Sequence, residues 1–508
     1  MASTSTRVIK NTLFLYAKMG ITMFISLWTT RLILNSLGAS DFGIFNIVGG
    51  AIAMLGFMNA AMASATQRFM SFNEGAGNRE KLKTIFNVSI VLHIVLALLV
   101  GVVLAAAGVV FFNGVLNIPA GRTTAAIVVY ASLVISTMIT VATVPYDAVI
   151  NAHENMKYYA VVGIFESLLK LAVAFACVYT TEDKLIVYGV LMACIPLITL
   201  SIMRIYCHRH YEECTIAPRR YYNRADMKEI TAFAGWNLLS TSATMIGNYG
   251  QSIIINHFFG VLMNAAIGVV NQVQGQLGVL TTNMQKALNP VIVKKEGAQK
   301  HQEMINWSFT GCKFSYLLFA CVAIPVSVEA DSLLTLWLKN VPEWTTLFLQ
   351  LQLIRTGIEL MVGNISSTLY ATGKIKGLTI ANAVLFFGSL FVLCIVYSIG
   401  LPAYSLYLLM IVIVMLQSLY ILRLAKQICH IPISNYAKEV FVPLLFATTI
   451  TLFLGFGVVT FFPASIVRLF ANSVVMMLIL FVVSYTLVLN KTEKQIIQSI
   501  LQKLSKHK

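Results

Sequence analysis

Charge is the scarcest feature of this 508-residue chain: Asp, Glu, Lys and Arg together make up 11% of it. A soluble globular chain carries about 25%. Without that polar coat, 58% hydrophobic residues cannot be kept from water. A soluble enzyme, a nucleic-acid-binding module and a disordered scaffold are excluded on this ground. Ten-residue alternating segments are also missing, which argues against a membrane β-barrel. There is no Walker motif, so no ATPase is built in. No CxxC pair occurs, and Cys177, Cys194, Cys312, Cys321 and Cys394 fall inside apolar runs as small hydrophobes. The cluster Cys207-His208-Arg209-His210 with Cys214 has metal-type side chains, but at a spacing that fits no standard zinc pattern. Neither a metal nor a cofactor is expected.

What the chain does have is apolar runs of helix-spanning length, with mean hydropathy +0.80. Fourteen are read, near 11–36, 43–67, 85–113, 123–149, 158–179, 185–206, 230–256, 261–285, 306–330, 345–370, 377–398, 402–424, 439–461 and 467–490. The first follows a short basic stretch and is too long for a signal-peptide core, so it reads as a span. The expected class is an all-α polytopic membrane protein. With the N-terminus inside, the inner segments hold 27 of the 36 basic residues, while the outer loops hold only Arg122, Lys184, Lys339 and Arg468. That asymmetry explains the net charge of +16 as a topology signal and puts both termini in the cytoplasm. The Thr181-Glu182-Asp183 turn reads as merely solvated.

The chain also repeats itself. Glu74-Gly75-Ala76 recurs as Glu296-Gly297-Ala298, Asn35…Gly38 as Asn256…Gly260, and Ala152…Met156-Lys157 as Ala371…Ile375-Lys376, at offsets of 219 to 222. Six spans per repeat is even, so both halves enter the membrane the same way, as two parallel repeats related by a pseudo-twofold axis along the membrane normal. The expected domains are an N-terminal six-helix lobe over 1–222, a C-terminal six-helix lobe over 223–437, two additional helices over 438–490 and a basic cytoplasmic tail over 491–508. Transporters of this kind hold substrate between their halves.

Ionisable groups within a span are costly and are functional candidates by default. Glu166 with Lys170, and Arg355 with Glu359, stand i,i+4 and are expected to neutralise each other on one helix face. Lys18, Arg31 and Lys313 have no partner in their own helix. Lys18 and Arg31 are roughly 20 Å apart along the first helix and turned about 220° from one another. Snorkelling to the nearer interface is the bland account of Arg31 and Lys313. Lys18, with no acid before Asp41, suits an anionic substrate, unless it pairs with a carboxylate on another helix such as Glu359. The seventh and eighth spans are rich in amides, among them Asn248, Gln251, Asn271, Gln272 and Gln274. Amides in hydrocarbon must face protein or water, and they both donate to and accept from sugar hydroxyls. The expected substrate-binding set is therefore Lys18, Arg31, Asn248, Gln251, Asn271, Gln272, Gln274, Lys313 and Arg355. Ion coupling, if present, would use Asp147, Glu166, Glu359 or His93, although His93 also suits hydrogen-bonded packing. No outer loop exceeds about 15 residues, which leaves no room for the outer domain of a membrane glycosyltransferase, and no enzyme is expected.

Several turns resemble those of one family. Leu37-Gly38-Ala39-Ser40-Asp41-Phe42-Gly43 is similar to the LG-x-x-[DE]-[FY]-G signature of polysaccharide transporters. Ala152-His153-Glu154, Asn289-Pro290 and Tyr370-Ala371-Thr372-Gly373-Lys374 look like its other recurring turns. The chain thus resembles the O-antigen and capsule flippase branch of the multidrug/oligosaccharidyl-lipid/polysaccharide (MOP) exporter superfamily. The resemblance implies fourteen spans as two sixes plus two, in the bacterial inner membrane. It implies a flippase that carries undecaprenyl-pyrophosphate-linked oligosaccharide outward by alternating access through a cationic cavity. Membrane lipids, the lipid-linked glycan and other polysaccharide-assembly membrane proteins would be its partners, and no nucleic acid. A cation-coupled multidrug exporter and a peptidoglycan-precursor flippase are the alternatives. The multidrug branch often carries a carboxylate in the first helix, where this chain has Lys18.

Overall fold

The structure, a computed structural model, describes residues 2–53, 56–115, 118–119, 121–338, 340–463 and 465–495. Among these there is no strand. The helices are α1 (Ala2–Ala53), α2 (Gly56–Ala76), α3 (Arg79–Val110), α4 (Thr123–Ala152), α5 (Met156–Tyr179) and α6 (Lys184–His210). Then follow α7 (Pro218–Tyr221), α8 (Arg224–Phe259), α9 (Val261–Gly297), α10 (His301–Val328), α11 (Ala330–Leu338) and α12 (Thr345–Thr372). The last are α13 (Lys376–Ser398), α14 (Ser405–Cys429), α15 (Ile433–Tyr436), α16 (Val442–Phe461) and α17 (Ile466–Val483).

Among the described residues, ten segments are long and apolar enough to cross a membrane. Helices α8, α9 and α12 are as long but more polar: α8 and α9 carry the amides named above, and α12 carries Gln350, Gln352, Arg355, Glu359 and Asn364. The protein is an all-α, multi-pass membrane protein with about fourteen crossings, two six-helix repeats and two further helices. Helix starts are set by local caps. The side chains of Asn78, Asn155, Asp183 and Ser465 accept from backbone N–H groups of the first turns of α3, α5, α6 and α17.

The repeat is visible in the backbone. Gly38 breaks α1 at φ 78°, ψ 167°, and Gly260 separates α8 from α9 at φ 79°, ψ −175°. This region is open to glycine and almost nothing else. A Cβ at either position would meet open space, so glycine is there for its dihedrals. Left-handed residues recur at Gly77 and Gln299, and at Glu154 and Gly373. All three pairs lie in the turns that repeat in the sequence.

The chain forms two compact units, Ile9–Leu238 and Met1–Val8 with Leu239–Lys508, whose division falls inside α8. In the first, α4 packs on α2, α3 and α6, around Val48, Val100, Leu104, Val129 and Leu185. There α1 lies along α5 and α6 through Ile33, Ala174, Cys177 and Tyr188. In the second, α9, α10 and α12 pack on one another, α14 on α12 and α13, and α16 and α17 on α10.

Candidate functional site

The first unit gathers several candidates around one stripe of α5. Tyr159, Gly163, Glu166 and Lys170 follow at helical spacing, so they share a face. The chain sets α1 against that face at both ends. Asn11 Nδ2 donates to the carbonyl of the left-handed Glu154 at 2.8 Å, and Ser36 Oγ donates to that of Cys177 at 2.8 Å. Lys18 lies two turns beyond Asn11 and so points to the same side. Its Nζ sits 4.1 Å from the centroid of the Tyr159 ring. Asp147 of α4 and Glu166 are the carboxylates that act electrostatically on Tyr159. Glu166 meets Lys170 at 2.7 Å, as its spacing implies. Lys18 and Glu166, taken from the sequence as separate candidates, thus lie along the Tyr159 stripe of α5, and Asp147 acts electrostatically on the same tyrosine.

Two first-unit candidates lie elsewhere. Arg31 is exposed. His93 is 0% exposed and its Nδ1 meets the carbonyl of Ser89 at 2.7 Å, which ties it into its own helix.

In the second unit the amide face divides. Asn248, Asn271 and Gln272 are exposed, whereas Gln251 is buried and donates to the Met410 sulfur at 3.3 Å. Gln274 keeps a buried Oε1 with no hydrogen-bond partner. Two expectations need correction here. Arg355 does not pair with Glu359 among the described residues. Its Nη1 donates to Gln352 at 3.4 Å and Glu359 is exposed, because a guanidinium beside the buried Gln352 is drawn into the packed side of α12. Lys313 does not snorkel. It is 1% exposed, and its Nζ meets both oxygens of Glu493 at 3.0 and 3.3 Å. Thr310 Oγ1 and the Asn490 N–H also donate to Glu493. This buried pair ties the segment after α17 to α10, and its charge is neutralised within the unit, so a ligand role for Lys313 loses its physical reason.

Two ionic clusters were not foreseen. Arg122, just before α4, is bidentate to Asp41 and to Asp183. Burial alone would raise the Asp183 carboxyl, but Arg122 and the α6 N-terminal N–H groups outweigh it and hold it below its usual range. The 181–183 turn is thus a clasp, not a solvated corner. Asp41 is the acidic position of the turn signature, so Arg122 gives that residue a structural task.

The second cluster joins Glu74, His153 and Glu213. His153 Nε2 meets Glu213 at 2.5 Å, Nδ1 meets Glu74 at 3.4 Å, and its ring stacks on Tyr211 at 4.2 Å. The three ligand atoms lie within 4.8 Å of one another, a donor set that could hold a metal ion where none was expected. Arg79, 3.7 Å from Glu74 and 3.9 Å from Glu213, already supplies positive charge there. Burial pushes Glu213 up, but the hydrogen bonds from His153 and from the backbone, with Arg79, hold it below the ordinary carboxylate range. Only the Ala152-His153-Glu154 turn hinted at this site.

Solved structures with the same fold are distant in sequence. An outward-facing multidrug resistance MATE family transporter of the MOP superfamily is 11% identical over 84% of this chain and 96% of that one, with a TM-score of 0.72. A MOP superfamily transporter from Pyrococcus furiosus is 12% identical over 86% and 97%, with a TM-score of 0.70. The Vibrio cholerae MATE transporter in its bent form is 17% identical over 84% and 97%, with a TM-score of 0.65. No curated protein sequence matches the chain. The sequence pattern of the family described as polysaccharide biosynthesis protein matches residues 8–294. That match spans more than half of the chain, and the helices that it covers form the first six-helix repeat and begin the second. The chain belongs to the polysaccharide biosynthesis protein family and has the fold of those MOP-superfamily transporters.

Proposed function

We propose that this transporter is a flippase for undecaprenyl-pyrophosphate-linked oligosaccharide, an O-antigen or capsule repeat unit. It moves that substrate from the inner to the outer face of the bacterial cytoplasmic membrane by alternating access, with both termini cytoplasmic. The observation that carries this reading is Lys18, an ammonium in the first span that rests on an aromatic ring. A ring face attracts a cation without cancelling its charge. A phosphate entering a region of low effective dielectric needs a fixed cation, and the ligand in turn offsets the cost of burying one. The exposed amides Asn248, Asn271 and Gln272 suit the sugars. Membrane lipids and other polysaccharide-assembly proteins are the expected company.

A cation-coupled exporter is the second reading. Asp147 and Glu166, the carboxylates that act electrostatically on Tyr159, favour it, since a carboxylate within a span can bind a proton or a metal cation. A deletion strain separates the two. Full-length lipid-linked repeat units should accumulate on the cytoplasmic side of the membrane. A strain that exports its glycan normally but becomes drug-sensitive overturns the flippase reading in favour of the exporter.

A further inference from the structure

Lys18 owes its position to a vacancy on α5. A Cβ built on Gly163 would collide with Lys18 Cε and stand 2.5 Å from its Nζ. We propose that Gly163 and Tyr159 form a seat that positions the Lys18 ammonium for a phosphate-bearing ligand, which makes Gly163 a positioning residue of the transport site. This rests on the anionic-ligand reading of Lys18 above.

Three features support the seat. First, Gly163 is inside α5 and its backbone does not occupy the positive-φ region. Glycine inside a helix is unfavourable relative to alanine, so this one needs a reason other than its dihedrals. Second, the atoms that a methyl group would strike belong to the far end of a flexible side chain. A substitution therefore need not disturb the helix pair; it displaces the ammonium instead. Third, the ring of Tyr159, one turn before Gly163, holds the charge from below. Together they fix the ammonium in place while leaving its donors able to meet an oxyanion. Lysine is a point charge with rotatable donors, so its location relative to the ligand depends on the seat.

The test uses the full-length protein in lipid nanodiscs. The acetylation rate of Lys18 is followed by mass spectrometry, with and without inorganic pyrophosphate, beside glycan export in cells. Gly163→Ala should leave the melting temperature unchanged, raise Lys18 acetylation about threefold or more, and remove the protection given by pyrophosphate. Export should fall about tenfold, equivalent to about 1.4 kcal/mol. Tyr159→Leu should behave alike, and Tyr159→Phe, which keeps the ring face but loses the hydroxyl that also bonds Lys18, should fall between Tyr159→Leu and wild type. Unchanged acetylation in Gly163→Ala overturns the seat. A large drop in its melting temperature also overturns it, because the glycine would then serve helix packing. If acetylation rises in Gly163→Ala while Lys18→Ala exports normally, the seat stands and the anionic-ligand reading of Lys18 fails.

Discussion

The first and fifth helices of each repeat meet in both lobes, and they meet by different chemistry. Lys18 and Ser240 each lie twenty residues before the kink glycine of their repeat, Gly38 and Gly260. In the first lobe the α1 residue is a lysine, laid against a glycine and a tyrosine of α5. In the second, Ser240 of α8 accepts from Asn382 of α13 at 3.1 Å, and Asn382 in turn accepts from Gln417 at 2.9 Å. The glycines change sides as well. In the second lobe Gly247 and Gly250 of α8 make room for Phe386 and Leu390 of α13. One contact keeps a positive charge within the span, and the other is neutral, a hydrogen-bonded chain beside apolar packing. The repeat preserves the scaffold while the chemistry of this helix contact differs between the lobes.

The ends of the helices show the same divergence. Arg122 and Trp344 precede α4 and α12, whose first residues are 222 apart, and Asp183 and Tyr404 precede α6 and α14, 221 apart. The first lobe closes this corner with the Arg122–Asp183 ion pair at 2.6 Å. The second closes it with the Trp344 and Tyr404 rings, 5.2 Å between centroids. At the opposite turns, Glu74 belongs to the four-membered cluster with Arg79, His153 and Glu213, while its counterpart Glu296 meets His301 at 2.6 Å. The first lobe builds its corners from charge, and the second from rings and smaller pairs.

The comparison breaks most visibly at Lys18. Lys18→Ala should abolish glycan export at unchanged protein level, and Lys18→Arg should retain part of it. Ser240→Ala should leave export near wild type and lower stability by about 1 kcal/mol, the net worth of one hydrogen bond. Equal loss of export from both would erase the distinction between the lobes.

Next in size is the buried pair of the second lobe. Lys313→Ala leaves Glu493 buried without its cation, which should destabilise the protein by about 3–5 kcal/mol. Replacing both, as Lys313→Met with Glu493→Leu, should recover most of that in a thermal melt, with export restored. Persistent loss of export in a stable double variant would return Lys313 to the ligand set.

Gly38→Ala and Gly260→Ala should each destabilise by about 1–3 kcal/mol, since alanine is strained in that backbone region. Similar losses in the two would show that the kinks are one device used twice.

The smallest effect belongs to the partly exposed Arg122 corner. Arg122→Ala should cost at most about 1 kcal/mol. That loss should shrink in high salt, where the screening length falls to about 3 Å at 1 M. A loss from Trp344→Ala should be insensitive to salt. Arg122 and the N-terminal N–H groups of α6 hold the Asp183 carboxyl below its ordinary range. Its contribution is therefore fully present above about pH 4 and lost as pH falls through the lower folded value. Asp183→Asn should flatten that acid limb of the stability curve. A steeper limb would mean that another carboxylate governs it.

Composition and period determined much by themselves. Scarce charge and long apolar runs dictate a helical membrane protein, since backbone polar groups in lipid must be satisfied within each helix. The kinks at Gly38 and Gly260 were legible because their backbone region admits little but glycine, whereas the left-handed Glu154 and Gln299 leave no such mark. The Glu166–Lys170 pair was readable because i,i+4 neighbours share a helix face. The Arg355–Glu359 pair has the same spacing and does not form, since spacing brings two groups within reach but does not settle which one packs inward. Lys313 and Glu493 are 180 residues apart in the chain, and the Arg122 corner and the His153 cluster each gather residues from three separate turns. Such pairings carry no periodic signal, because they depend on which helix ends the packing of the lobe brings together. Lys18 could be singled out from the sequence as an isolated charge. Only the tertiary structure decided that it lies on Tyr159 and against Gly163, because the packing of α1 on α5 sets what surrounds an ammonium.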